Sequence, residues 1–166
     1  MVLHTLGKRD GCNMWIQNVA AVDVKNAHHV AVGDNAMLIQ ITDPAGWFPE
    51  PKHQFREVHQ FEFLDAEDKD GFDDDFKISD AQAQEIVRLL QHAHEHRMDV
   101  IVHCMAGLCR SGAVCEVGVM MGFADTERFR SPNLRVKHRL MKALGWTYDP
   151  NETFDEENWR RYNPDF

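Results

Sequence analysis

The chain has 166 residues, 43% of them apolar and 27% charged, with a net charge of −9 before its ten histidines are counted. That length suits one domain able to bury a core, and the acidic balance opposes non-specific attachment to nucleic acid or anionic membranes, which needs clustered Lys and Arg. No apolar run approaches the length that crosses a bilayer, and the opening MVLHTLGKRDGC holds no apolar signal stretch, so a soluble cytoplasmic protein is expected.

Met14 to Ala20 (MWIQNVA) reads as a first strand and Ala36 to Thr42 (AMLIQIT) as a second, stopped by Asp43-Pro44. Ala45 to Gln54 is a Gly- and Pro-containing loop, and Glu57 to Asp65 (EVHQFEFLD) alternates as a third strand. The acidic AEDKDGFDDDF after it is expected as an exposed, solvated loop. Ser79 with Gln82 makes a capping-box pattern, and Ala83, Ile86, Val87 and Leu90 give one apolar face to a helix reaching about Arg97. Asp99 to His103 (DVIVH) is a short strand suited to burial between parallel neighbours. A helix from Ser111 to about Gly122 follows, then another with Pro132 in its first turn and Gly145 at its end. The tail, 146–166, carries Trp146, Tyr148, Phe154, Trp159 and Tyr162, which suit docking on the core. Strands alternating with helices indicate an α/β fold: a single domain spanning 1–166, its central sheet mostly parallel and flanked by helices.

Cys12, Cys104, Cys109 and Cys115 do not form a disulfide framework: the chain is too long to need staples, and no second Cys or His group stands at zinc-ligand spacing. A reactive thiol is the better reading. Val100 to Gly112 (VIVHCMAGLCRSG) puts Cys104 at the end of a buried strand, with five residues between it and Arg110-Ser111 at a helix start. Such a turn points consecutive backbone N–H groups inward as an anion nest, and the helix adds the positive end of its dipole. Gly107 supplies the backbone freedom, Arg110 a planar fork for two phosphate oxygens, and the combined field favours a nucleophilic thiolate at Cys104.

The run His103-Cys104-Met105-Ala106-Gly107-Leu108-Cys109-Arg110-Ser111 resembles the H-C-x-x-G-x-x-R-[S/T] signature of protein tyrosine and dual-specificity phosphatases. Ile41 to Pro44, the strand end Phe63-Leu64-Asp65, the helix from Ser79 and Ser131-Pro132-Asn133 extend the likeness, over roughly residues 14–145, to small dual-specificity-like phosphatases of bacteria and phages. The resemblance implies that Cys104 attacks phosphorus to give a cysteinyl-phosphate while Arg110 and the loop N–H groups hold the equatorial oxygens. It implies further that Ser111 hydrogen-bonds the Cys104 sulfur, and that His103 orients the loop and supports the thiolate. A general acid is needed as well, which the family places on a loop after the preceding strand. Asp65 matches that position best, Asp68 next, and Asp73, Asp74 or Asp75 only if the loop folds back.

Other patterns read more plainly. Asp68-Lys69-Asp70-Gly71 resembles a calcium loop, yet Ala66 and Lys77 stand where that loop needs carboxylates. His92 and His96 share a helix face but read as solvated side chains near a helix C-terminus, and no metal or cofactor is expected. Cys109 stands as a redox partner able to form a reversible disulfide with Cys104, or as a small side chain filling space behind the loop. The uncharged Met105, Ala106, Leu108 and Cys109 point to a phosphomonoester on a protein or small molecule rather than a polyanion, with phosphotyrosine or phosphoserine/threonine both open. The alternatives are a phosphate-binding module of weak turnover, or a redox enzyme such as an arsenate reductase cycling Cys104, Cys109 and Cys115. Oligomeric state is not legible.

Overall fold

The segments rich in β-branched and apolar residues come together as one sheet. Its strands are β1 (Trp15–Ala20), β2 (Ala36–Thr42), β3 (Glu57–Glu62), β4 (Asp99–Cys104) and β5 (Ala124–Asp125). They lie in the order β3-β2-β4-β1-β5 and every pairing is parallel. The computed structural model describes residues 14–26 and 33–153; Cys12, Phe154, Trp159 and Tyr162 lie outside the described residues.

Parallel strands with both faces covered should be apolar throughout, and β4 and β2 are buried at every position. β3 borders solvent, and its alternation leaves Val58 exposed. One face of the sheet, with Ile16, Met37, Ile39, Val100 and Val102, packs against α2 (Asp80–Glu95), α3 (Arg110–Met120) and α4 (Leu134–Ala143). The other face gathers Trp15, Val19, Leu38 and Ile101 around Val24 of the short α1 (Ala21–Asn26) and Phe55. Trp146 and Tyr148, from the described part of the tail, pack against the first of these cores.

Several expected boundaries move. The third strand leaves the ladder at Glu62, not Asp65, because the Leu64 N–H turns away to the Phe76 carbonyl at 2.7 Å. α1 and β5 were not foreseen, being too short to show a period. Pro132 precedes α4 instead of opening it; Asn133 is the N-cap, its side chain accepting from the Val136 N–H. Ser79 and Gln82 form the expected capping box on α2, and Gly145 follows α4 at φ +74°.

Two readings hold in part and are refined. The acidic stretch after Asp65 is mostly exposed, as expected, but it is also anchored: Ala66 is buried, and the buried Lys77 that follows the stretch donates to the Asp68 and Asp70 carbonyls. Glu67 accepts from the N–H groups of Leu134 and Arg135, and Asp68 pairs with Arg135 at 2.6 Å and Arg139 at 3.3 Å. The free N–H groups at the start of α4 and its Arg side chains draw the carboxylates in, so the loop is strapped to that helix. His92 is likewise engaged, meeting Glu57 of β3 at 2.8 Å, with His59 on the other carboxylate oxygen at 2.9 Å. Burial pushes the Glu57 carboxyl up, but these two hydrogen bonds outweigh it and hold the carboxyl below its ordinary value.

Candidate active site

With all strands parallel, the segments leaving β1, β2, β3 and β4 emerge on one edge of the sheet. The turn from Cys104 to Arg110 sits in the middle of that edge, because β4 lies between β1 and β2. Its carbonyl oxygens are tied outward. The Met105 carbonyl accepts from the Ala21 N–H at 3.2 Å, and those of Leu108 and Cys109 from Ser131 and Asn133 N–H groups at 3.0 Å each. The Gly107 carbonyl accepts from Asn18 Nδ2 at 2.6 Å. Once the carbonyls of a tight turn face the scaffold, its N–H groups face the other way, which is the geometry of an anion nest. Gly107 takes φ +77°, and a Cβ there would collide with the backbone of Val19 and Ala20. No other residue fits that position.

Cys104 is 3% exposed, and its sulfur lies 3.1 Å from Ser111 Oγ in the first turn of α3. The Arg110 guanidinium is buried and reaches the segments that follow β2 and β3. Its Nη1 donates to Asp43 Oδ1 at 2.7 Å and to the Phe63 carbonyl at 2.8 Å. Its Nε is buried and unpartnered. A donor left in that state costs about 1–3 kcal/mol, which an acceptor brought to it would remove.

His103 Nδ1 lies 3.2 Å from the Cys104 carbonyl, which only accepts, so the proton sits on Nδ1. Burial, helped by the charge of Arg110, pushes this ring down to about 4. His103 is therefore neutral at ordinary pH, and what it gives the loop is orientation, without a positive charge for the thiolate.

Asp65 is exposed beyond the end of β3, where Asn133 Nδ2 donates to its Oδ1 at 2.8 Å. The Cys109 thiol is hydrogen-bonded to it as well, and burial together with the Asp65 charge pushes that thiol up to about 12. Asp65 thus stands beside the turn. Asp68 is held by two guanidinium groups of α4, Asp73 caps the 3-10 turn Asp74–Phe76, and Asp74 reaches Lys77 and Arg135 at 3.4 and 3.7 Å. Cys115 lies in the core, its thiol donating to the Ile16 carbonyl at 3.6 Å and pushed up to about 12 by burial.

Three contributors were not singled out from the sequence. Asn18 had a signal, as an amide within the apolar MWIQNVA strand that is wholly buried. Asn133 stands where an N-cap belongs, which gives its helix role but not its contact with Asp65. Asp43 lies in the Ile41 to Pro44 stretch of likeness, but its pairing with Arg110 joins residues 67 positions apart and had no local signal. Among the described residues no group of three or more His, Cys, Asp or Glu is placed to hold a metal ion.

No family model matches the chain, and no curated protein matches it. Among solved structures, human DUSP28 aligns over 90% of this chain and 89% of its own, with 14% identity and a TM-score of 0.49. A mouse protein named as a dual specificity phosphatase, complexed with zinc tungstate, aligns over 78% of this chain and 69% of its own, with 15% identity and a TM-score of 0.38. At these levels the chemistry of the site rests on the chain's own geometry.

Proposed function

We propose that the protein is a cysteine-dependent phosphatase that hydrolyses phosphomonoesters, with phosphotyrosine and phosphoserine/threonine side chains as the substrate class. The observation that carries this reading is the buried Arg110 guanidinium, braced at Nη1 and left with an unpartnered Nε, beside a nest that ends on Cys104. A phosphate in the nest takes the inward N–H groups of residues 105–110 and the free edge of Arg110.

Cys104 sulfur attacks phosphorus as the ester P–O bond breaks. Asp65 gives its proton to the departing oxygen. The Asp65 carboxylate then takes a proton from water, whose oxygen attacks the cysteinyl-phosphate. Phosphate leaves, and Ser111 Oγ–H stabilises the departing sulfur. His103 holds the loop through the Cys104 carbonyl.

Asp65 beside the loop argues against an inert phosphate-binding module. The burial of Cys115, a protonated thiol bonded to Ile16, argues against a redox set with Cys104 and Cys109 such as an arsenate reductase needs. Cys109, also protonated, lacks the thiolate that would attack an oxidised Cys104, so its contact with Asp65 favours a packing and hydrogen-bonding role. The test is hydrolysis of phosphotyrosine and phosphothreonine peptides by wild type and Cys104→Ser in parallel. Turnover abolished by the substitution supports the reading, and turnover unchanged by it removes Cys104 from the chemistry.

A further inference from the structure

Asn133 is where the three parts of the site meet. Its backbone N–H donates to the Cys109 carbonyl of the phosphate loop at 3.0 Å. Its side chain is buried, and Oδ1 accepts from the Val136 N–H at 3.0 Å to cap α4. Nδ2 donates to Asp65 Oδ1 at 2.8 Å and to the Ala66 carbonyl at 3.2 Å. The cap settles which way the amide points. A backbone N–H requires an acceptor, so the oxygen faces the helix and the NH2 faces Asp65.

We propose that Asn133 is a positioning residue for the general acid, beyond its structural role as a helix cap. The inference rests on the reading of Asp65 as that acid. Asp65 is an exposed side chain on a segment that has already left the sheet, and nothing in β3 fixes its rotamer. The Asn133 amide supplies that restraint from the α4 side, with the Cys109 thiol as a second contact from the phosphate loop. It also bears on which oxygen does the chemistry: Oδ1 accepts the amide N–H, so Oδ2 is the oxygen assigned to carry the transferable proton. In the second step the same bond holds the carboxylate in place while Oδ2 takes the proton of water. A helix cap is thereby coupled to acid–base catalysis through one buried amide.

Two substitutions separate the roles, because Ser and Asp cap helices about as well as Asn. Asn133→Ser keeps a cap but is too short to reach Asp65. Asn133→Asp keeps a cap and sets a second carboxylate against it. Both are compared with wild type on p-nitrophenyl phosphate, whose leaving group needs little protonation, and on phenyl phosphate, whose leaving group needs it. Each variant should lose about tenfold more kcat/KM, which reports the leaving-group step, on phenyl phosphate than on p-nitrophenyl phosphate, corresponding to one oriented hydrogen bond. On an Asp65→Asn background, Asn133→Ser should add no further selectivity. Equal losses on both substrates, with Asp65→Asn alone still selective, would overturn the positioning role and leave the acid reading intact. If Asp65→Asn shows no selectivity, the acid reading itself has failed and this inference goes with it.

Discussion

The phosphate loop and the acid loop, neighbours on the same edge of the sheet, are held by different forces. The loop from Cys104 to Arg110 is fixed by short hydrogen bonds between neutral groups, several of them buried: Ala21, Asn18, Ser131 and Asn133 each take one of its carbonyls. The acid loop is fixed chiefly by charge, through Glu67 on the start of α4 and Asp68 between Arg135 and Arg139. Buried neutral contacts ignore salt, whereas exposed ion pairs are screened by it. The part that binds phosphate is thus built to be stiff. The part that carries the proton is built on contacts that can be loosened.

The largest test of that contrast is Cys104→Ser, which should reduce turnover to background while leaving inorganic phosphate as an inhibitor of the remaining fold's ligand binding, measurable by calorimetry. Gly107→Ala comes next. Its Cβ meets the Val19 and Ala20 backbone and its φ is positive, so denaturant titration should show a loss of roughly 3 kcal/mol, with phosphate binding lost as well. An unchanged midpoint would mean that the loop is softer than its hydrogen bonds indicate.

Acid provides the third test. His103 is pushed down to about 4 when folded, whereas an unfolded imidazole titrates near its ordinary value of 6.5. Between these values the unfolded chain binds the extra proton, so His103's contribution is intact above about 6.5 and is lost as pH falls toward 4. At pH 5 that amounts to about 2 kcal/mol relative to pH 7. A His103→Gln variant should show a shallower decline in stability over that window in urea melts.

Smaller effects should divide the two loops. Asp43→Ala leaves Nη1 of Arg110 held by the Phe63 carbonyl without its charged partner, and phosphate and vanadate inhibition should weaken about tenfold with KM rising more than kcat falls. Glu67→Gln, or 0.5 M salt, should cost roughly 1 kcal/mol or less of stability. Either should slow phenyl phosphate more than p-nitrophenyl phosphate, because it disturbs the acid and spares the nest. Equal slowing of both would erase the distinction between the loops.

What the sequence disclosed follows the same division. Cys104, Gly107, Arg110 and Ser111 lie within eight residues, their tasks are set by local geometry, and a strand–turn–helix reading places all four. The β2 and β4 strands were legible because central parallel strands are buried at every position and so run mostly apolar in sequence. Asp43 and the contact between Asn133 and Asp65 were not, since sheet order and helix placement bring those side chains together and no local period records them. The acidic segment misled for a related reason. Composition marks Glu67 and Asp68 as suited to water, and only the position of α4 supplies the N–H groups and guanidinium forks they bind.

The all-parallel pairing also governs when the site comes into being. Adjacent parallel strands cannot be closed by a hairpin, and Met37 of β2 must find Val100 of β4 across most of the intervening chain. Pairings of that span are slow to form, whereas α2 can assemble locally from its own capping box. During refolding, helical signal should therefore return well before catalytic activity, and in the interval the Cys104 thiol is accessible to oxidants and alkylating agents. A chain newly emerged from the ribosome passes through the same window, with a reactive cysteine and no scaffold yet around it.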